Sequence, residues 1–329
     1  MAQFGTEFCD HFVSASFVDG SWQSPELQAI GPIPLHPAAH VFHYASTCFE
    51  GFKAYRWEDG KARIYRLHDH VARMQKSAAS LRLPIPDADM LAQMVIDLVA
   101  RQIDDIPAPP SSLYLRPTLI GTVENIGAAA APSTEALLYV IASPVGDYFG
   151  SGATTLKLLI DDQHERTTAQ LGSTKTGGNY AAALGPTLDA KAEFGVDQVL
   201  FCPRGDVQET GAANFLLISD DEVITKPLDS SFLHGMTRDS ILSLAADLGY
   251  TVNERNFTVD ELLQYVSTYE AALSGTAATL SPVGCLVYNG EEITVRDGKP
   301  GPNTEKLRAA LQAVQNGSAP DKHGWLTEV

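Results

Sequence analysis

Two stretches of the chain repeat their apolar positions at helical spacing. Between His68 and Leu81, Val71, Met74, Ala78 and Leu81 share one face, which predicts a helix over those residues. A second amphipathic helix is predicted over Asp87–Gln102, stopped by the turn-rich Pro107–Pro110. Ala62–Leu67 alternates like a strand. The apolar runs Ser112–Gly121 and Glu135–Ser143 predict two more strands, on either side of the Ala-rich loop Gly127–Ser133. Further along, predicted strands at Leu156–Ile160, Gln198–Cys202, Phe215–Ile218 and Glu270–Leu273 alternate with predicted helices. Those helices cover Asn179–Phe194, Arg238–Leu248, Val259–Val266 and Asn303–Gln315. Both halves mix the two element types, so the fold class is α+β, a mixed α/β arrangement.

At roughly 150 residues per domain, 329 residues suggest two domains. The segment Pro144–Ala153, PVGDYFGSGA, packs three glycines and a proline into ten residues and reads as the linker. The division is therefore 1–143, a linker at 144–153, and 154–329.

Charge narrows the partners. The chain carries 40 acidic and 23 basic side chains, a net charge of −17, which argues against nucleic acid or an anionic membrane surface. An anionic small molecule stays possible, since it needs only one locally positive pocket. Cys9, Cys48, Cys202 and Cys285 lie far apart with no C-x-x-C pair, so free thiols in a reducing compartment are expected. Met1–Phe12 carries Glu7 and Asp10 and has no basic n-region, unlike a signal peptide, and no apolar run approaches the ~18 residues of a membrane span. A cytoplasmic location follows as the expectation.

Candidate chemistry is scattered and individually weak. Gly172–Tyr180, GSTKTGGNY, puts a lysine among small residues; Thr174 stands where a phosphate-binding P-loop needs glycine, so that motif fails. A surface turn or a close ligand approach both fit. Leu233–Asp239, LHGMTRD, leads into an apolar-periodic run with Thr237 as the expected N-cap. It reads as a plainly capped helix or as a phosphate site at a helix N-terminus. The turn Thr276–Ala278 could offer adjacent N–H groups to a carboxylate, or be a simple loop. His36, His40 and His43 have metal-compatible spacing, but Pro34 and Pro37 interrupt it; with His68 and His70 they read as structural, and no metal is expected.

Their order carries more than any one of them. HYASTCFEGFKAY (His43–Tyr55), HDHVARM (His68–Met74), SLYLRPTLIG (Ser112–Gly121), STKTGGNYAAAL (Ser173–Leu184), VQETGAANFLLI (Val207–Ile218), SSFLHGMTRDSIL (Ser230–Leu242), ALSGTAA (Ala272–Ala278) and DKHGWLTEV (Asp321–Val329) follow one another in turn. Together they closely resemble the branched-chain amino acid aminotransferases of class IV, over nearly the whole chain.

The resemblance implies a smaller N-terminal α/β domain, a larger C-terminal cofactor-binding domain, pyridoxal 5′-phosphate between them, and a homodimer or larger homo-oligomer. It implies Lys175 as the Schiff-base lysine, Glu209 as the partner of the pyridine nitrogen, and Arg73 as the phosphate-binding arginine. Met236 and Thr237 N–H groups with the Thr237 and Thr276 hydroxyls would complete the phosphate cup. Tyr180 would bond the phenolic oxygen and Leu233 would pack on the ring. For substrate, it implies Tyr114 with the Ala277 and Ala278 N–H groups at the α-carboxylate, Arg116 at the distal carboxylate of glutamate, and Phe49, Tyr148 and Tyr180 around the side chain. Tyr44 of the partner subunit would enter the same pocket. Lys53 stands where some relatives carry arginine, and both occur in the family. The implied reaction is ping-pong transfer of the amino group from Leu, Ile or Val to 2-oxoglutarate. The alternatives within the fold are a D-amino acid aminotransferase, a chiral-amine transaminase and aminodeoxychorismate lyase. Against these stands the Tyr114-x-Arg116 pair, which follows the branched-chain pattern.

Overall fold

The computed structural model describes residues 4–127, 130–146, 155–277 and 279–329. The chain forms two compact units. The first comprises Met1–Asp147, Thr174–Gly177 and Val314–Val329; the second comprises Tyr148–Ser173 and Gly178–Ala313. Thr174–Gly177 and Val314–Val329, grouped above with the second domain, thus pack with the first. The proposed linker 144–153 lies mostly outside the described residues.

The first unit is one antiparallel sheet. Its strand order is Leu326–Glu328, Ala62–Tyr65, Phe52–Arg56, Ser112–Gly121, Ala136–Val145, His11–Val18 and Ser21–Trp22, with Thr47–Phe49 paired to Ser112–Gly121 and Glu26–Ala29 to His11–Val18. Helices Leu67–Ser80 and Ala88–Arg101 pack on the sheet and on each other. Their apolar stripes supply Leu67, Met74, Leu91, Met94 and Leu98 to a core shared with Phe52, Ile64 and Leu113, all fully buried. Asp87 starts the second helix by accepting a hydrogen bond from the Met90 N–H at 2.8 Å.

The second unit's sheet closes on itself. Glu209–Thr210 pairs with both Gln198–Phe201 and Asn214–Ile218, and the ring is completed through Leu156–Asp161, Thr279–Tyr288 and Glu270–Gly275. The pairings of Leu156–Asp161 with both of its neighbours are parallel. Glu222–Thr225 and Thr251–Glu254 extend the sheet beyond Asn214–Ile218. Helices Gly177–Phe194, Met236–Asp247, Val259–Tyr265 and Pro302–Gln315 surround it. Thr258 and Glu261 cap the third of these reciprocally. All four cysteines are free thiols, and no described helix is long and apolar enough to cross a membrane.

Candidate active site

In the first unit, Lys175 is held by its own backbone. Its N–H donates to Ser77 Oγ at 3.0 Å, and its carbonyl accepts from the Phe49 N–H at 3.0 Å. Thr176 Oγ1 donates to the Thr47 carbonyl at 2.7 Å. A helix and a strand of the unit therefore fix the lysine just before helix Gly177–Phe194 begins. Its Nζ stands 5.1 Å from the centre of the Phe49 ring. The Arg116 guanidinium stands 4.7 Å from the same ring.

Tyr114 and Arg116, two apart on one strand, share a face. Arg116 Nη2 donates to Tyr114 Oη at 2.8 Å, and its guanidinium is 5.3 Å from the Tyr114 ring centre. Arg116 Nε is buried with no hydrogen-bond partner among the described residues. A cation against two aromatic rings, with a donor unfilled, is suited to an anionic ligand. The space for the Tyr114 hydroxyl is provided by Gly51, where a Cβ would lie 2.0 Å from Oη.

Arg73 lies one helical turn before Ser77, on the same buried face. Its Nε and Nη2 donate to the two oxygens of Glu50 at 2.7 and 2.8 Å. His70 Nδ1 meets Glu50 Oε2 at 2.7 Å. Burial pushes the Glu50 carboxyl up, but the charge and hydrogen bonds of Arg73 and His70 outweigh it and hold Glu50 well below the usual carboxylate range. Burial drives His70 down, helped by Arg73 and Lys175 and opposed by Glu50. The carboxylate is thus charged and His70 neutral, with its proton on Nδ1. Glu50 is absent from the candidates the sequence offers, and His70 stands there only as a structural histidine. Their partnership spans 20 positions, so no local pattern announces it.

In the second unit, Glu209 sits in the two-residue strand that closes the ring, 2% exposed. Its Oε1 pairs with Arg166 Nη1 at 2.6 Å and accepts from the Leu233 N–H at 2.9 Å; its Oε2 accepts from Asn214 Nδ2 at 3.1 Å. Asn214 Nδ2 also donates to the Leu233 carbonyl at 2.9 Å. Glu209 and Leu233 are thus brought together with two residues, Arg166 and Asn214, that the sequence does not mark. Register offers the one usable signal, since Asn214 directly opposes Glu209.

Helix Met236–Asp247 begins two residues earlier than a Thr237 cap would require, with Gly235 as the N-cap and no side-chain cap. Asn214 passes so close that a Cβ on residue 235 would lie 2.1 Å from its Oδ1, so the N-cap position admits only glycine. Met236 and Thr237 accordingly occupy the first turn, where N–H groups point outward along the helix axis. Thr276 and Ala277 form the turn after strand Glu270–Gly275 and line a cavity of about 300 Å³ with Thr210, Ala213 and Gly275. The Ser274 hydroxyl is buried without a hydrogen-bond partner among the described residues. Tyr180 stands, half-buried, in the first turn of helix Gly177–Phe194. Tyr44 ends the short helix His40–Tyr44 and donates to the Ile126 carbonyl at 2.5 Å. Tyr148 and Ala278 lie outside the described residues.

Each unit carries groups of the kind that pyridoxal 5′-phosphate needs: a backbone-pinned lysine and a helix-borne arginine in the first, a donor-fixed carboxylate and a helix start without a side-chain cap in the second.

Comparison with known proteins agrees. Residues 47–284 match the amino-transferase class IV family. The chain is 37% identical to the branched-chain-amino-acid aminotransferase of Mycolicibacterium smegmatis, over 99% of this chain and 92% of that protein. It is 35% identical to branched-chain-amino-acid aminotransferase 2 of Bacillus subtilis, over 99% and 92%. Among solved structures it superposes on the T.th. branched-chain amino acid aminotransferase with pyridoxamine 5′-phosphate. There the TM-score is 0.81 and the identity 27%, over 98% of this chain and 99% of that one. The Escherichia coli branched-chain amino acid aminotransferase superposes at a TM-score of 0.77 and 26% identity, over 95% and 98%. Sequence and fold point the same way: this chain belongs to the class IV aminotransferase family.

Proposed function

We propose that this protein is a branched-chain amino acid aminotransferase, passing the amino group of Leu, Ile or Val to 2-oxoglutarate through a ping-pong cycle. Bound pyridoxal 5′-phosphate supplies the electron sink that accepts the pair left when the amino acid loses its α-proton. Lys175 would hold the cofactor through its amine, and the same amine would move the α-proton of the substrate. Glu209, held by Arg166, Asn214 and the Leu233 N–H, would pair with the pyridine nitrogen and favour its protonated form. Arg73, the Met236 and Thr237 N–H groups and the Thr237 and Thr276 hydroxyls hold the phosphate. Tyr180 bonds the phenolic oxygen, and Leu233 covers the ring.

Tyr114 with the Ala277 and Ala278 N–H groups receives the α-carboxylate. Phe49, Tyr148 and Tyr180 enclose the apolar side chain. The observation that carries the substrate assignment is Arg116: half-buried against Phe49 and Tyr114, with its buried Nε unfilled among the described residues, it suits the second carboxylate of 2-oxoglutarate or glutamate. In this reading the protein works in the cytoplasm, where its four free thiols stay reduced. It is a homodimer in which Tyr44 of the partner subunit completes the pocket; Phe42 and Ile126 beside Tyr44, 60% and 68% exposed, supply apolar surface for that contact.

A panel of L-amino donors with 2-oxoglutarate as acceptor tests the reading. Leu, Ile and Val should be the best donors, with glutamate forming in step. Preference for a D-amino acid or a simple chiral amine would overturn it.

A further inference from the structure

We propose that Glu50 is a positioning residue for the cofactor's phosphate, acting through its two-point grip on the Arg73 guanidinium. The proposal rests on the reading of Arg73 as the phosphate arginine.

Glu50 is 1% exposed, and its two oxygens meet donors on Arg73, His70 and Gly51. The fork to Nε and Nη2 of Arg73 fixes the plane of the guanidinium, because two parallel hydrogen bonds leave no rotation about the side chain's last bond. Nη1 is the nitrogen that the fork does not engage. Glu50 is itself held from the other side. His70 donates to Oε2, and the His70 ring stacks on Phe52 with centroids 4.6 Å apart and planes at 21°. The Gly51 N–H also donates to Oε2, at 3.3 Å. A chain of buried contacts thus runs from Phe52 through His70 and Glu50 to Arg73.

Two effects oppose each other. The negative charge of Glu50 weakens the positive potential that a phosphate meets at Arg73. Against this, the grip orders a long, flexible side chain before the ligand arrives, and it keeps a buried guanidinium from standing uncompensated when no phosphate is bound. Arg73 is buried with its partner and cannot satisfy itself in water, so positioning outweighs the lost potential. The sign of the effect on affinity is therefore the test.

The full chain, freed of cofactor, is titrated with pyridoxal 5′-phosphate and with pyridoxal, which lacks the phosphate. Glu50→Gln keeps the shape and removes the charge. It should weaken the phosphorylated ligand about tenfold or more, the scale of a lost charge-assisted fork, while pyridoxal changes less than about twofold. In the pair Glu50→Gln with Arg73→Gln, the preference for the phosphorylated ligand should equal that of Arg73→Gln alone. Equal weakening of both ligands would make Glu50 a structural residue and overturn the proposal, as would unchanged or tighter binding of pyridoxal 5′-phosphate. If Arg73→Gln itself leaves the preference intact, the reading of Arg73 fails, an outcome separable from failure at Glu50. Should Glu50→Gln not fold by circular dichroism, Glu50→Asp is read in the same way. It keeps the charge but draws the carboxylate back from the guanidinium by one methylene, so a smaller loss confined to the phosphorylated ligand supports the proposal, and a loss shared by both ligands overturns it.

Discussion

Gly51→Ala introduces one methyl group into the tightest contact near Tyr114 and Arg116, the residues proposed to face substrate. Its Cβ would lie 2.0 Å from Tyr114 Oη and 2.9 Å from Cζ, whereas ordinary van der Waals contact starts at 3.4 Å. The tyrosine has to swing aside by more than an ångström at its tip. It is 9% exposed, its hydroxyl accepts from Arg116, and the Phe4 ring sits edge-on to it at 4.9 Å, so the movement disturbs all three. Overpacking of this kind costs about 1–3 kcal/mol, roughly five- to hundredfold in kcat/KM if the strain falls on carboxylate binding. Steady-state kinetics with leucine and 2-oxoglutarate, alongside thermal unfolding, read the two components apart. Adding Tyr114→Phe to Gly51→Ala removes the worst overlap, so it should restore most of the stability but not the substrate affinity. A Gly51→Ala enzyme with unaltered Tm and kcat/KM would refute the reasoning.

Lys175→Ala should still bind the cofactor without a covalent link and lose transamination; turnover retained in a multiple-turnover assay would remove the assigned role. Arg116→Ala should slow the half-reaction with 2-oxoglutarate far more than the one with leucine, and equal losses in single-turnover measurements would count against it. Arg166→Met should lower stability by about 3–5 kcal/mol, the scale for stranding one partner of a buried ion pair, because Glu209 is 3% exposed at its side chain. Denaturant unfolding measures it, and a loss below about 1 kcal/mol would show that Asn214 and the Leu233 N–H alone compensate the carboxylate.

The helices Leu67–Ser80 and Ala88–Arg101 are legible because one stripe of each must face the core, which imposes the 3.6-residue period that the sequence shows. The strand Thr279–Tyr288 is hidden by Pro282 and Gly284, which interrupt its pattern although it lies between two paired neighbours. Candidate residues are legible where they belong to compact motifs, as around Lys175 and Glu209. The residues that hold those groups in place are not. Glu50 and His70 read as an isolated acid and a structural histidine until folding brings them to Arg73, and Arg166 is 43 positions from Glu209 by their numbers. Thr237 is the natural cap by residue type, yet Gly235 holds the N-cap position, and the approach of Asn214 that demands glycine there comes from a distant strand.

The strand Leu326–Glu328 is paired with Ala62–Tyr65 across the edge of the first sheet, and Arg63 reaches Glu328 over a separation of 265 positions. During synthesis, Ala62–Tyr65 leaves the ribosome with one of its two edges unpaired and stays so while the whole second unit is made. An open strand edge is a template for pairing with other chains. The order of translation therefore leaves the first unit exposed to aggregation for longest, and its last seam closes only after the second unit has been made.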